Sequence, residues 1–313
     1  MTVDQTLDFA LSTKAPGPKG RLPGVSHAQF KEEVKDTLLR MLNISDTKHV
    51  LIGDEHVHGI SGGERKRVSI AEMMITRARV QAWDNSTRGM DAFTALEYAK
   101  SLRIMTDVLG QTTFATLYQA SERIYNLFDK VLILDKGRQV YFGPASEARA
   151  YFEGLGFKSL PRQSTPDYLT SCTDPNERQF AFGRSIADVP CSPEALETAF
   201  RHSSHGRALE SAVAEYRSLQ STDKTDQEAF RQAILDDKKK GVGKKSPYTL
   251  GFVGQVKALT IRLFQQRIQD SFFLVSSFGL STFLALVLGG AFFGQTQAAS
   301  GAFTRGAYVF LPT

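Results

Sequence analysis

Ser271 to Phe293 reads "SFFLVSSFGLSTFLALVLGGAFF", 23 residues without a charge. As a helix it would reach roughly 34 Å, enough to cross the hydrocarbon core of a bilayer. The competing interpretation is a helix buried in a soluble protein. That would need about six turns apolar on every face, which soluble helices seldom sustain. Its glycines and serines suit close helix packing in lipid. Basic residues crowd the approach (Lys238, Lys239, Lys240, Lys244, Lys245, Lys257, Arg262, Arg267), whereas Arg305 alone follows. The positive-inside rule then puts residues 1–270 in the cytoplasm. Residues 271–293 are therefore expected to form a transmembrane helix, and 294–313 a loop and the start of a second span.

The rest of the composition is unexceptional. A net charge of +5 does not argue for nucleic acid, and part of the excess is local, in "DKKKGVGKK" at 237–245. The two cysteines, Cys172 and Cys191, lack metal-ligand spacing and read as free thiols of a reducing compartment. No secretory signal opens the sequence.

Residues 1–156 alternate helical and strand patterns, as an α/β domain would. Helices are expected at about 28–42, 62–77, 91–108 and 146–154, with a short one from Ser121. Strands are expected up to Trp83, at 112–118, and at 130–143 as a pair turning at Lys136-Gly137. Residues 157–245 read as a polar linker region with helical patches near 193–235. In 246–270, Phe252, Val256, Leu259, Leu263 and Ile268 approximate one face opposite Lys257, Arg262 and Arg267, which fits an amphipathic helix at a membrane interface.

Two motifs carry chemistry. In "WDNSTRGMDA" (83–92), a buried strand is expected to end at Asp84, placing a carboxylate where Mg²⁺ would be held in a nucleotide-binding α/β fold. Asn85 follows, and a neutral amide cannot accept a proton from an attacking water. In "ISGGERKRVSIAEMM" (60–74), Ser61 and Glu64 form an S-x-x-E capping box. Capping alone leaves Gly62 and Gly63 unexplained, since glycine in a helix costs about 1 kcal/mol relative to alanine. The pair makes sense if an anion approaches the helix N-terminus, where free N–H groups and the dipole favour phosphate. Ile70, Met73 and Met74 are expected on the buried face, with Arg65, Lys66 and Arg67 outside or lining the site.

"SGGERKRVSIAE" resembles the signature motif of ATP-binding cassette (ABC) transporters, and "WDNSTRGMDA" resembles their Walker B segment and D-loop. The wording around Trp83 and Asn85, followed by "LYQAS" (117–121), is similar to the first nucleotide-binding domain of fungal pleiotropic-drug-resistance transporters of the G subfamily. "TSCTDPNERQ" (170–179) and "SPYTLGFVGQVKALTIR" (246–262) resemble the linker and connecting helix of the same proteins. The resemblance implies a P-loop NTPase-type α/β nucleotide-binding domain at 1–156, followed by a linker and an α-helical membrane segment of the ABC-2 type. It implies that Ser61, Gly62 and Gly63 contact the γ-phosphate of ATP held by an opposing domain. Asp84 would support Mg²⁺, and Asp91 would be the D-loop aspartate. Asn85 stands at the catalytic glutamate position and Tyr118 at the switch histidine position, so the chain's own site would hydrolyse poorly while completing the site of its partner. Implied partners are a second nucleotide-binding domain, a membrane domain, the lipid bilayer and a hydrophobic small-molecule substrate; no nucleic acid is implied. The expected location is the plasma membrane.

No G-x-x-x-x-G-K-[ST] phosphate loop (Walker A) occurs in the sequence. The expectation is therefore a fragment of a longer exporter, inactive alone. A non-catalytic remnant is the alternative, and a soluble ABC-type ATPase of translation or DNA repair is a third reading that the apolar run disfavours.

Overall fold

Residues 1–21, 23–54, 57–239, 241–269, 271–291 and 293 are described in the computed structural model. The expected loop and second span at 294–313 lie outside them, as does Arg305. Two compact units divide the chain, Thr2–Gly251 and the residues from Phe252 onward.

The first unit opens with α1 (Val3–Lys14), started by a capping box in which Thr2 and Gln5 exchange hydrogen bonds. Helix α2 (His27–Met41) is capped by Ser26, α3 (Gly62–Met74) by Ser61 and α4 (Ala92–Leu109) by Asp91. Their apolar faces meet in one core containing Leu7, Leu11, Leu39, Ala71, Met74, Tyr98 and Leu102. Each large aliphatic side chain buried there contributes about 1.5–3 kcal/mol. Lys35 is buried in the wall of this core, with its ammonium 2.7 Å from both the Asp4 and Glu32 carboxylates. Burial pulls its pKa down, but hydrogen bonds and attraction from Asp4 and Glu32 outweigh that, leaving it above an ordinary lysine.

Strands β1 (Val80–Trp83) and β2 (Thr112–Ala115) pair in parallel, with Val80 opposite Thr112 and Trp83 opposite Ala115. The expectation of a buried strand before Asp84 needs correction. Gln81 is buried, but Val80 is 64% exposed and Phe114 of β2 is 59% exposed, so one face of the pair is open. Parallel strands are usually covered on both faces.

A short helix α5 (Glu122–Tyr125) leads to a hairpin of β3 (Lys130–Asp135) and β4 (Arg138–Pro144). Lys136 and Gly137 turn it with φ of 45° and 79°, as a two-residue hairpin turn of this hand demands. Helices α6 (Ala145–Leu155), α7 (Thr165–Thr173) and α8 (Pro193–His202) follow. They close a second core holding Val140, Tyr141, Phe152, Tyr168, Leu196 and Phe200. The front of the stretch read as polar linker thus supplies core residues. Both cysteines are free, and burial pushes the Cys172 thiol up to about 12. Helices α9 (Ser204–Thr222) and α10 (Thr225–Asp236) are largely exposed.

The second unit contains α11 (Phe252–Gln269) and α12 (Ser271–Ala291). Among the described residues no single helix is long and apolar enough to cross a membrane. The pair Phe252–Gln269 and Leu274–Gly290, bent by 73°, meets the length and composition requirement together. Val275, Phe278, Phe283 and Leu286 are exposed on the apolar helix.

Candidate functional site

The chain reaches α3 through a tight loop. Gly53 has a φ of 75°, and a Cβ on Gly59 would collide with the Ile52 backbone, so both positions require glycine. The Ile60 N–H donates to the Leu51 carbonyl at 3.0 Å, which fixes where the helix begins.

At that start the capping box is complete. The Glu64 N–H donates to Ser61 Oγ at 3.3 Å, and the Ser61 N–H donates to Glu64 Oε2 at 2.8 Å. These bonds from Ser61 hold the Glu64 carboxyl below its usual range. Gly62 and Gly63 follow, both exposed. Neither has a positive φ, and a Cβ at either would meet nothing within 4 Å. Nothing within the described residues therefore requires glycine at these two positions.

The basic residues after them are fasteners. Arg67 Nη1 donates to the carbonyls of Leu42 and Asn43 at 3.2 and 3.0 Å, and Arg65 donates to that of Ile52 at 3.3 Å. Lys66 Nζ donates to the Arg88 carbonyl at 2.5 Å, tying α3 to the loop after β1. On the inner side Ile70 and Met74 are buried as expected, but Met73 is 58% exposed and does not belong to the buried face.

Asp84 lies just past β1, exposed, and Oδ1 accepts the Thr116 hydroxyl at 2.6 Å. The same hydroxyl oxygen accepts the Asn85 N–H at 2.8 Å. Thr116 thus joins the ends of the two parallel strands and orients the carboxylate. Asn85 has a φ of 48°, and its side-chain oxygen is sheltered with no hydrogen-bond partner. Asparagine tolerates this left-handed conformation better than most residues. Asp91 is occupied differently: Oδ1 accepts the Thr94 N–H at 2.9 Å and Oδ2 accepts its hydroxyl at 2.6 Å. Those bonds hold its pKa below the usual carboxylate range. Tyr118 is 60% exposed.

Among the described residues no group of three or more His, Cys, Asp or Glu could hold a metal. Asp84 fits Mg²⁺ as one protein ligand, because Mg²⁺ keeps several waters and is commonly held by one or two carboxylates together with substrate phosphates. The open start of α3 fits an anion in the same limited sense, by offering N–H groups and a helix dipole.

Thr116 was not singled out from the sequence, and Lys66 was expected outside the core or lining the site, with no partner named. A threonine at the end of the second strand, level with Asp84, was the available signal for Thr116. Nothing in the sequence pointed to the partner of Lys66, which is a backbone carbonyl in a distant loop.

Comparison with known proteins decides the family. The model described as "ABC transporter" matches residues 3–88, and one described as "ABC-2 type transporter" matches 118–177. ABC multidrug transporter I of Aspergillus fumigatus is 53% identical over 99% of this chain. The chain belongs to the ABC transporter family. ABC transporter G family member 15 of Dictyostelium discoideum is 44% identical and ABC multidrug transporter SNQ2 of Candida glabrata 40%, each over 99% of the chain. The chain spans about a fifth of the length of these relatives (21%, 21% and 20%). The ABC-2 match falls on the hairpin and on α5 to α7, whereas the sequence pattern had placed the membrane domain at the apolar run.

Proposed function

We propose that this chain is the signature-bearing part of an ATP-driven exporter of hydrophobic small molecules, and that it completes a composite ATP site on an opposing nucleotide-binding domain. One observation carries the reading: an exposed, capped helix start with two glycines that the local packing does not require. Ser61, Gly62 and Gly63 would meet the γ-phosphate held opposite, Asp84 would support Mg²⁺, and Asp91 would signal across the interface. ATP and Mg²⁺ would supply the phosphoryl chemistry when bound. Asn85 and Tyr118 offer no convincing base, so the site on this side would hydrolyse poorly.

No G-x-x-x-x-G-K-[ST] pattern occurs in the 313 residues, so in this reading another segment or another chain would supply the phosphate cradle. The open apolar face at Val80 and Phe114 supports a further layer packing there. The location proposed is the plasma membrane, with residues 1–270 cytoplasmic. The apolar run 271–293, of which α12 is a part, is proposed as the span, and α11 as the interfacial helix before it.

The test compares the chain alone with a chimera of the Aspergillus relative carrying it in place of the corresponding segment. The chain alone is expected to show no ATP turnover. The chimera is expected to hydrolyse ATP and export hydrophobic drugs, with both activities reduced by Ser61→Ala. Turnover by the chain alone that Asp84→Ala abolishes would overturn this reading.

A further inference from the structure

The lysine-rich stretch after α10 is fastened back onto the end of α1. Gly17 N–H donates to the Asp237 carbonyl at 2.9 Å, and a Cβ on Gly17 would run into the Lys238 carbonyl. The Thr249 hydroxyl donates to the Thr13 carbonyl at 2.8 Å, and Lys239 Nζ donates to the Ser12 carbonyl at 2.7 Å. Such docking is unexpected for a charge run, which is ordinarily solvated.

Docking brings Lys239 to Ser12, whose hydroxyl also accepts from Lys31 Nζ at 3.1 Å, and beside Gly17, whose carbonyl accepts from Arg21 Nε at 3.4 Å; His27 lies within reach of all three charges. Lys31 already pairs with Asp8 at 2.7 Å, and Asp8 also lies 3.9 Å from Lys35, so that carboxylate is shared. Burial and the charges of Lys31 and Arg21 hold Lys239 below an ordinary lysine. Burial and the charges of Lys239, Lys31 and Arg21 do the same to His27. Two nitrogens in this group, Arg21 Nη1 and His27 Nε2, are buried without a hydrogen-bond partner. Buried polar groups are normally satisfied, and an orphaned charged donor is costly. Like charges packed together at a docking point add to that cost.

One kind of ligand removes both costs. We propose that Arg21, His27, Lys31 and Lys239 bind a phosphate group, free or carried by a lipid headgroup, and that the bound anion clamps segment 237–249 onto α1. A phosphate accepts from several donors at once, and arginine suits its geometry. His27 would present its Nε2 as a donor. This site is separate from the residues assigned to ATP and does not rest on that assignment.

The test uses the full chain in detergent, comparing inorganic phosphate with chloride at equal ionic strength. At ten times its Kd, phosphate should raise the unfolding temperature by roughly 3 °C. It should also slow tryptic cleavage within 237–245 several-fold. Arg21→Gln and Lys239→Gln should each lose both responses while folding normally in chloride, since each removes a repelling charge; His27→Gln serves if either fails to fold. Lys245→Gln should respond like the parent. In phosphatidylcholine vesicles, protection that requires added phosphatidic acid assigns the group to a headgroup, and protection by inorganic phosphate alone assigns it to a free ion. Equal behaviour in phosphate and chloride without vesicle protection would overturn the proposal, as would responses undiminished in all three variants.

Discussion

Helices α3 and α4 begin alike and are finished differently. Each has a polar cap that accepts the N–H of the third helical residue, Ser61 from Glu64 and Asp91 from Thr94. At α4 the cap is a carboxylate with both oxygens engaged, and Ala92 and Phe93 continue the helix. Local chemistry accounts for that start completely. At α3 the cap is a neutral hydroxyl followed by two glycines that raise the cost of the helix and fill no tight space. A cost without a local return points to a return outside the chain. The difference teaches that capping explains where both helices start, but not what stands at the start of α3.

The widest expected difference is functional. In the chimera, Gly63→Ala should reduce drug efflux at least ten-fold, because a methyl group would stand where the anion approaches; unaltered efflux would break the comparison. Thr116→Val should weaken Mg²⁺-ATP binding at the site that contains Asp84 by several-fold, since Asp84 and Asn85 both lose the hydroxyl that joins them. Unchanged binding would mean that the strand ends need no such tie. Next comes stability. Ser61→Ala should cost about 1 kcal/mol in urea unfolding and Asp91→Ala should also destabilise, whereas Asp91→Asn should stay close to the parent, because asparagine caps equally well. Efflux lost in Asp91→Asn would then belong to its charge.

The smallest effect concerns acid. The carboxyls of Glu64 and Asp91 are both held down in the fold by hydrogen bonds from Ser61 and Thr94 respectively. A depressed folded pKa stabilises above the unfolded value and is lost as pH falls through the folded one. Stability should therefore decline as pH drops below 4.5 for Glu64 and below 3.8 for Asp91. Glu64→Gln should remove the first part of that decline, as read by amide exchange at the start of α3.

The motif end of this comparison was legible in the sequence because it is local. Ser61 and Glu64 lie three residues apart, and the structure closes the expected box between them. The hairpin turning at Lys136-Gly137 was legible for the same reason. Helix α1 could have been read from its Thr2–Gln5 box, and α7 from Ser164 with Pro166 just inside the helix. What escaped depends on contacts far apart in the chain. Thr116 reaches Asp84 and Asn85 across the strand pair, and Tyr168 joins a core with Phe152 and Phe200 from a stretch whose composition is polar. Met73 was misplaced because helical periodicity blurs at the edge of an apolar face, where neighbours decide burial.

The central claim is that Gly62 and Gly63 serve something other than the fold of this chain. Equilibrium unfolding of the isolated chain with Gly63→Ala tests it most directly, because no partner or nucleotide enters the measurement. The account predicts stability unchanged or raised by up to about 1 kcal/mol, since the added Cβ meets nothing within 4 Å and alanine favours the helix. A clear loss of stability would show that the glycine is required by the chain itself, and would contradict the claim.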